Sequence, residues 1–266
     1  MQPGHDGPSD LRIAIAQYSC PLINPPSQRG LFENKLHNIR LAIARMQPFT
    51  LAPGEAFSFW QRALAPTAGN GYREGAMFIN QRVTTSLGGG LCQLSGLIYN
   101  LALLAGLDIL ERHPHSIDAY GEDRYIPLGR DATVAYGRKD LGFSNPHAYT
   151  VKLALDVDEW HAWGAVHAAQ ALDARIHIET QLLETLPSPL RRVRDTSVAP
   201  GEVITEPGLS GKRVSAWRVI ERPGQAQRRE TLSTDHYRAT PTWLRRRDAL
   251  LRPWMHKLLA RLALHG

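Results

Sequence analysis

Three consecutive glycines lead directly into a cysteine at residues 88–92, in the order Gly-Gly-Gly-Leu-Cys. After the cysteine, apolar residues recur at helical spacing as far as Gly106, and a glycine in that position is typical of a helix C-terminus. The pattern predicts that Cys92 lies in the first turn of a buried helix. There, free backbone amides and the positive end of the helix dipole favour thiolate over thiol. The stretch therefore indicates a reactive thiol, with a buried structural cysteine as the simpler alternative.

Two histidines follow the predicted helix, in the order His113-Pro114-His115. Proline disfavours helix for the residue before it, so the segment is expected to be extended, and residues two apart in an extended segment face the same side. Both rings can therefore point at one pocket, and a cysteine nucleophile needs such a base. Asp131 opens a later alternating segment and is a candidate for orienting one ring nitrogen. The hypothesis is a Cys–His–Asp arrangement with either His113 or His115 as the base.

Four further residues are candidates for binding the reacting groups. Backbone amides from Gly90 onwards, together with the side chain of Gln93, can stabilise an oxyanion. Arg112 and Arg130 flank the histidines and the aspartate, and a guanidinium can bind a substrate carboxylate in bidentate geometry. The predicted catalytic and binding residues thus come from three short stretches of the chain.

The same residues have two other interpretations. His-Pro-His is commonly a surface turn, and Asp131 follows Gly-Arg, which is typical of a turn or cap. Alternatively Cys92, His113, His115 and Asp131 make a one-Cys, two-His, one-carboxylate zinc site, although the close spacing of most zinc ligands is missing. From spacing alone, ordinary structure ranks first, cysteine chemistry follows closely and a metal site comes third.

Composition excludes several classes of protein. The chain has 266 residues, 43% of them hydrophobic, which suffices for a sizeable core. Its two cysteines, Cys20 and Cys92, imply no disulfide framework. The net charge of +6 is diffuse and accompanies no nucleic-acid motif, so no nucleic-acid partner is expected. The absence of a signal peptide and of a transmembrane segment predicts a cytoplasmic protein, with export left open if the start site is misassigned.

The sequence predicts four parts: an N-terminal arm and linker (1–29), a core domain (30–165), a β-rich extension (166–240) and a basic amphipathic tail (241–266). The tail is expected to dock or to be solvated, in preference to contacting a membrane surface. The predicted fold class is α+β, with a mixed or antiparallel sheet packed against a central helix that begins at the Gly-Gly-Gly-Leu-Cys loop. Additional strands are expected in the second half.

Several ordered motifs resemble the VanW family, which is named for an accessory protein of glycopeptide-resistance clusters. The core motif is GGGLCQLS at 88–95, followed by Tyr99-Asn100. The resemblance covers about residues 30 to 165. The other motifs are ENKLHN at 33–38, PGE at 53–55, FSFW at 57–60, GYREG at 71–75, ERHPHS at 111–116 and GRDAT at 129–133.

The resemblance implies chemistry at the cysteine. Some larger family members, carried on exported wall-binding chains, are regarded as L,D-transpeptidases that cross-link peptidoglycan through a cysteine, while many members have no assigned activity. Mapped here, the nucleophile is Cys92 and the base is His113 or His115, and such acyl transfer needs no metal or organic cofactor. The expected function is a VanW-like protein of cell-wall or glycopeptide-resistance context, with cysteine acyltransferase activity on peptidoglycan-like peptides or another acyl substrate. The alternative is a non-catalytic module that binds a peptide or a protein.

Overall fold

The computed structural model describes residues 11–22, 29–47, 49–79 and 82–247. Within these ranges the α-helices are α1 (Arg29–Met46), α2 (Phe59–Ala63) and α3 (Leu91–Leu104). The strands, in chain order, are β1 (Ile13–Pro21), β2 (Phe49–Leu51), β3 (Ala56–Ser58), β4 (Glu74–Ile79), β5 (Arg82–Leu87), β6 (Asp108–Glu111), β7 (Gly142–Ser144), β8 (Val151–Val157), β9 (His161–Ala168), β10 (Arg175–Leu186), β11 (Leu190–Arg194), β12 (Ile204–Glu206), β13 (Gly211–Glu221), β14 (Arg228–Tyr237) and β15 (Thr242–Arg246).

The strands form five small sheets. The largest has the order β1-β9-β8-β2, and the others are β10-β13-β14, β11-β15-β12, β3-β7-β6 and the hairpin β4-β5. The β11–β15 pairing is parallel, whereas the other pairings of these strands are antiparallel. The long β13–β14 hairpin turns at Gly224, whose φ of 72° suits a glycine.

The predicted α+β class is wrong, because the protein is mostly β. Strands make up 41% of the described chain and helices 17%. The strands of the second half do not extend a sheet that packs on the central helix, because they pair among themselves in two separate sheets. The physical reason lies in β11, which is exposed at every residue, and in β10, which is exposed along most of its length. Such strands carry little apolar alternation to reveal them.

The core lies between α3 and the four-stranded sheet. Twelve of the fourteen residues of α3 are buried, as expected for a helix that is apolar on all sides. The helix packs against β1 and β9 of the largest sheet, and α1 packs against α3 and β8. Alternate residues of β8, from Val151 to Val157, point into this core. The rigid surroundings fix the direction of α3 and therefore the place of its first turn.

The β10-β13-β14 sheet lies against the segment that follows α3. The buried side chain of Arg218 on β13 donates to the carbonyl of Leu107 at 2.7 Å. The backbone amide of Arg238, just after β14, donates to the carbonyl of Ser116 at 2.8 Å. A Cβ built on Gly129 would lie 3.2 Å from Val214 of β13. The second half of the chain is thus in direct contact with the region that holds the predicted histidines and aspartate.

Parts of two sequence predictions lie outside the described residues. These parts are residues 1–10 and 23–28 of the predicted arm and linker, and residues 248–266 of the predicted tail. At the start of the predicted tail, Thr242–Arg246 forms β15 between β11 and β12. None of the helices in the described ranges is long and apolar enough to cross a membrane.

Candidate active site

The glycine loop (residues 88–90) brings the chain to the start of α3 through a narrow gap. A Cβ built on Gly89 would lie 2.5 Å from the backbone carbon of Gly75, so no side chain fits there. Gly90 is the N-cap of α3 and has a φ of 103°, a conformation that residues with a Cβ rarely adopt. The loop therefore requires glycine for close approach and for backbone conformation. It places Cys92 as the second residue of the helix.

A buried asparagine holds the glycine loop from the other side. Asn38 on α1 is fully buried and donates through Nδ2 to the carbonyls of Gly89, at 3.0 Å, and Arg73, at 2.9 Å. Its Oδ1 accepts from the backbone amide of Arg73 at 2.8 Å. One side chain thereby ties α1, the residue before β4 and the glycine loop together. Satisfied buried amides of this kind make a loop rigid.

The thiol of Cys92 is half-buried and faces three groups from the segments that follow α3. Its Sγ lies 3.3 Å from the hydroxyl oxygen of Thr133 and 3.6 Å from the carbonyl oxygen of Val134. The ring of His115 lies close enough to the same sulfur to lower the pKa of the thiol. The sulfur therefore has two side-chain partners that can stabilise a thiolate, a hydroxyl and an imidazole.

His115 is held by Asp131 on its other side. Asp131 Oδ2 lies 2.6 Å from Nδ1 of the ring and accepts from the backbone amide of His115 at 2.7 Å. Asp131 accepts a hydrogen bond from Nδ1, which therefore carries a proton. Nε2 is then the ring nitrogen that is left to interact with the thiol. His115 thus lies between Cys92, whose thiol it influences, and Asp131, to which it is hydrogen-bonded, and these three residues are here called the triad. The geometry matches the nucleophile, base and orienting group of cysteine acyl transfer.

The pKa values of the triad all shift towards the charged forms. Burial acts to raise the pKa of Asp131, but the hydrogen bond and charge of His115 and the charge of Arg112 lower it to about 2. Burial acts to lower the pKa of His115, but Asp131 and Cys92 together raise it to about 10. Burial also acts to raise the pKa of the Cys92 thiol, and hydrogen bonding to His115 outweighs it, so this pKa is lowered. The favoured state is a thiolate beside an imidazolium.

Asp131 is supported from the second half of the chain. Its Oδ1 accepts from the hydroxyl of Tyr237 at 2.5 Å and from Nη2 of Arg112 at 3.2 Å. Arg112 also donates through Nε to the backbone carbonyl of Asp131 at 2.7 Å, and through Nη1 to both oxygens of Asp235. The guanidinium stacks over the ring of Tyr99 at 5.3 Å. The arginine predicted to bind a substrate carboxylate is therefore already paired with two protein carboxylates.

Side chains of α3 hold the 129–134 segment in place without a regular strand. Ser95 Oγ donates to the carbonyl of Ala132 at 2.6 Å. Asn100 donates to the carbonyl of Arg130 at 2.9 Å and accepts from Nε of the same arginine at 2.8 Å. The Arg130 guanidinium also lies over the ring of Tyr18 at 5.2 Å. Arg130 thus faces α3 and β1, where its position also fixes the backbone next to Asp131.

Two other predicted residues point away from the thiol. His113 pairs through Nε2 with Glu111 Oε1 at 2.8 Å, in an exposed position. The side chain of Gln93 is buried and donates to the carbonyl of Pro21 at 2.5 Å, towards β1. The structure thus brings His115 to Cys92 and places His113 elsewhere.

One backbone amide is positioned to act on a developing oxyanion. The amide of Gln93 donates to the carbonyl of Gly90 at 3.0 Å, whereas in the described glycine loop no carbonyl accepts from the amide of Cys92. An N–H of the nucleophile residue itself, at a helix N-terminus, is a common donor in an oxyanion hole. Gly90 turns the chain at the N-cap of α3, and the role predicted for the backbone amides from Gly90 onwards in binding an oxyanion stays a prediction.

Aromatic side chains line the edge of the site. Tyr120 and Tyr125 contact one another edge-to-face, with ring centroids 5.3 Å apart. Burial raises the pKa of both hydroxyls, and the nearby charge of Cys92 raises it further. Their loop is fixed by the buried Asp118, which pairs with Arg124 at 2.8 Å and with Lys212 of β13 at 2.6 Å. These rings are suited to contact a substrate held near the thiol.

Sequence reasoning missed Thr133, Tyr237 and Asp235. Thr133 lies in the GRDAT motif, which gave a usable signal. Tyr237 and Asp235 lie more than 100 positions from Asp131 and Arg112 along the chain, with no local pattern around them. Within the described ranges, no group of three or more His, Cys, Asp or Glu side chains is arranged to hold a metal ion.

Comparisons with known proteins give a consistent result for the first part of the chain. The family model described as VanW like protein matches residues 34–166. The Vancomycin B-type resistance protein VanW of Enterococcus faecalis is 30% identical over 165 residues, which cover 61% of this chain and 60% of that protein. The Uncharacterized protein YoaR of Bacillus subtilis is 33% identical over 115 residues, which cover 43% of this chain and 37% of that protein. The chain therefore spans less than two thirds of either relative.

Two solved structures are similar to short parts of the chain. The IgA1 protease G5 domain is 16% identical with a TM-score of 0.22, over 29% of this chain and 94% of that chain. The HP0197 G5 structure is 20% identical with a TM-score of 0.17, over 28% of this chain and 99% of that chain. These scores are too low for either likeness to bear on the fold.

Proposed function

Because this chain belongs to the family of VanW-like proteins, we propose that it is a cysteine acyltransferase that acts on peptidoglycan-type peptides. The observation that carries the proposal is the triad, in which His115 lies beside the half-buried thiol and is hydrogen-bonded to the buried Asp131. A cysteine with a purely structural role needs neither an imidazole on its sulfur nor a carboxylate behind that imidazole.

In the first half of the proposed reaction, the Cys92 thiolate attacks the carbonyl carbon of a peptide bond and forms a tetrahedral intermediate. The backbone amide of Cys92 donates to its oxyanion. When the C–N bond breaks, the proton on His115 Nε2 passes to the leaving amine, and the acyl group stays on the sulfur as a thioester. Asp131 keeps the proton on Nδ1 throughout, so the ring presents Nε2 to the reaction.

In the second half, the acceptor amine loses a proton to His115 Nε2 as its nitrogen attacks the thioester carbonyl. The C–S bond then breaks, and the thiolate and imidazolium of the resting enzyme are restored. The atoms and charges balance without an added reagent, since one amine leaves and another enters. The adjacent rings of Tyr120 and Tyr125 would offer apolar contacts to the bound peptide.

The substrate class is supported by the relatives rather than by the geometry. The Enterococcus faecalis protein is by name a vancomycin B-type resistance protein, which places it in a glycopeptide-resistance context. Carried over to this chain, that context favours an acyl donor built like a cell-wall peptide stem. The activity and the substrate are both proposals.

The proposal is tested by trapping the thioester. The full chain is incubated with synthetic peptidoglycan stem peptides without an acceptor amine, quenched in acid and examined by intact mass spectrometry. We expect an acyl adduct that maps to Cys92 and is absent in Cys92→Ala. Cys20→Ala is the matched control, because Cys20 is fully buried and its pKa is raised to about 11, chiefly by burial. It should keep the adduct.

Two outcomes contradict the proposal. Saturable peptide binding without any adduct, unchanged in Cys92→Ala, would support a non-catalytic peptide-binding module. An adduct that survives in Cys92→Ala would mean that another residue is the nucleophile.

A further inference from the structure

We infer that Tyr237 on β14 is a positioning residue of the triad, so that the second half of the chain completes the catalytic site. This inference rests on the proposed function, because it assigns a role to a contact of Asp131. Tyr237 lies far outside residues 34–166, which the family model matches. The region assigned to the family would then supply the nucleophile, the base and the orienting carboxylate, and the β10-β13-β14 sheet would hold that carboxylate in register.

The hydroxyl of Tyr237 has only one arrangement of hydrogen bonds that fits its neighbours. The side chain is 1% exposed. The backbone amide of Gly129 can only donate, and it lies 2.8 Å from the hydroxyl oxygen. The hydroxyl proton is therefore directed to Asp131 Oδ1 at 2.5 Å. Tyr237 thus bridges two residues of the turn that carries Asp131, one through the backbone and one through the carboxylate.

The two carboxylate oxygens of Asp131 accept hydrogen bonds from different residues. Oδ2 receives both hydrogen bonds from His115, and Oδ1 receives those from Tyr237 and Arg112. The Arg112 contact is the longer, at 3.2 Å, and the same guanidinium makes a 2.6 Å contact with Asp235. Of the two side chains that hold Oδ1, Tyr237 therefore makes the shorter hydrogen bond.

β14 supplies both supports from one face. Asp235 and Tyr237 are two residues apart in the strand, so their side chains point to the same side. One ends on Arg112 and the other on Asp131, which are themselves paired. A strand that served only to bury surface would need an apolar side chain at these positions. Here it presents a carboxylate and a hydroxyl to the charged groups behind His115.

The chain offers a matched control. Tyr72 is 2% exposed and donates through its hydroxyl to the backbone carbonyl of Ala63 at 2.7 Å. Tyr72→Phe and Tyr237→Phe each remove one hydrogen-bonded hydroxyl from a buried ring. Tyr72→Phe therefore controls for the loss of a buried, hydrogen-bonded hydroxyl, whereas only Tyr237→Phe alters the support of Asp131. Tyr237→Phe should destabilise the fold more, because its hydroxyl makes two hydrogen bonds, one of them to a carboxylate.

The experiment measures the rate at which iodoacetamide alkylates Cys92, as a function of pH, in the full chain. Wild type, Asp131→Asn, Tyr237→Phe and Tyr72→Phe are compared, and the modified peptide is identified by mass spectrometry. Without the Tyr237 hydroxyl the carboxylate can rotate towards Arg112 and away from His115, which leaves the imidazolium and therefore the thiolate less stabilised. We expect the pH profile of Tyr237→Phe to move upwards, with alkylation at least about threefold slower on its acidic limb, while Tyr72→Phe follows wild type.

A profile for Tyr237→Phe that coincides with wild type, or that moves to lower pH, overturns the inference. If the Tyr237→Phe variant does not fold, Tyr237 is replaced by 4-aminophenylalanine or by 4-fluorophenylalanine instead. Both side chains fill the space of the hydroxyl, but only the amino group donates a hydrogen bond. The amino variant should then follow wild type and the fluoro variant should not; coincident profiles would again overturn the inference.

The design separates this inference from the function on which it rests. If Asp131→Asn also follows wild type, the triad itself fails, and with it the proposed acyl transfer. If Asp131→Asn moves the profile and Tyr237→Phe does not, only the role of Tyr237 fails.

Discussion

Replacing His115 by alanine should strongly lower the rate at which Cys92 reacts with iodoacetamide at neutral pH. Burial acts to raise the pKa of this thiol, and the hydrogen bond and charge of His115 are the main opposing influences. Without the imidazole, burial dominates, and Cys92 should come to resemble Cys20, whose pKa burial raises to about 11. The structure therefore predicts the direction of the change from two cysteines of the same chain.

The size of the effect follows from the fraction of thiolate. A thiol with the ordinary pKa of about 8.5 is only about 3% ionised at pH 7, and a buried thiol without a cationic partner is ionised less. In wild type, the lowered pKa of Cys92 favours the thiolate. We expect iodoacetamide to label His115→Ala at least about tenfold more slowly than wild type at pH 7.

His113→Ala is the matched control, because it removes an imidazole two residues away. His113 is about one-third exposed and pairs with Glu111, so its loss should change the labelling rate less than about twofold. Equal effects of the two substitutions, or an unchanged rate in His115→Ala, would refute the assignment of the base. A rate that falls only in His113→Ala would reassign it to the other histidine.

Two further predictions concern stability. The pKa of Asp131 is depressed to about 2 in the folded protein, so its ionisation stabilises the fold above the unfolded pKa of about 3.9, and this contribution is lost as the pH falls towards 2. Asp131→Asn should therefore lower the free energy of unfolding, measured by urea denaturation, by about 2–3 kcal/mol at pH 7. The free energy of unfolding of this variant should also decline less than that of wild type between about pH 4 and 2. An equal decline in the two proteins over this pH range would contradict the prediction. Gly89→Ala should cost about 3 kcal/mol or more, because its Cβ would lie 2.5 Å from backbone atoms that cannot move independently. Gly69→Ala, which meets nothing closer than 3.9 Å, should stay within about 0.5 kcal/mol in the same assay, and equal costs would show that the gap at Gly89 can widen.

The parts of the site that were predictable are those with local causes. Helical spacing after the glycine loop predicted a buried helix with Cys92 in its first turn, and α3 begins at Leu91. Proline at 114 predicted a non-helical segment for the histidines, and that segment follows β6 without forming a helix. Each of these features depends on steric rules that act over a few residues.

The choice between the histidines depends on contacts that no local rule contains. Two rings on the same side of an extended segment need not contact the same partner. His113 lies beside Glu111, whereas Asp131 takes both the backbone amide and the ring of His115. The position of the 129–134 segment determines which histidine meets Asp131. This segment is held in place by Ser95 and Asn100 of α3, rather than by pairing with another strand.

The fold class failed for a related reason. Periodicity detects a strand when one face is buried, and several strands of the second half are exposed on both faces. Their existence follows from pairing with neighbours such as β13 and β15, and pairing is a long-range property. The alternating apolar residues of β8 and β9, by contrast, are visible in the sequence because those strands cover the core.

The residues around the triad hold its two ends from different parts of the chain. The sulfur side is fixed by α3 and its glycine loop, which are buried in the core of the first half. The carboxylate side is fixed by β14, where Tyr237 donates to Asp131 and Asp235 accepts from Arg112. A buried imidazolium is costly unless its partner carboxylate is held in place, and a buried carboxylate is costly unless donors surround it. Arg112 and Tyr237 supply those donors to Asp131. The proposed thiolate of Cys92 would therefore depend on the contact between β14 and the segment that carries Asp131, which lie far apart in the sequence.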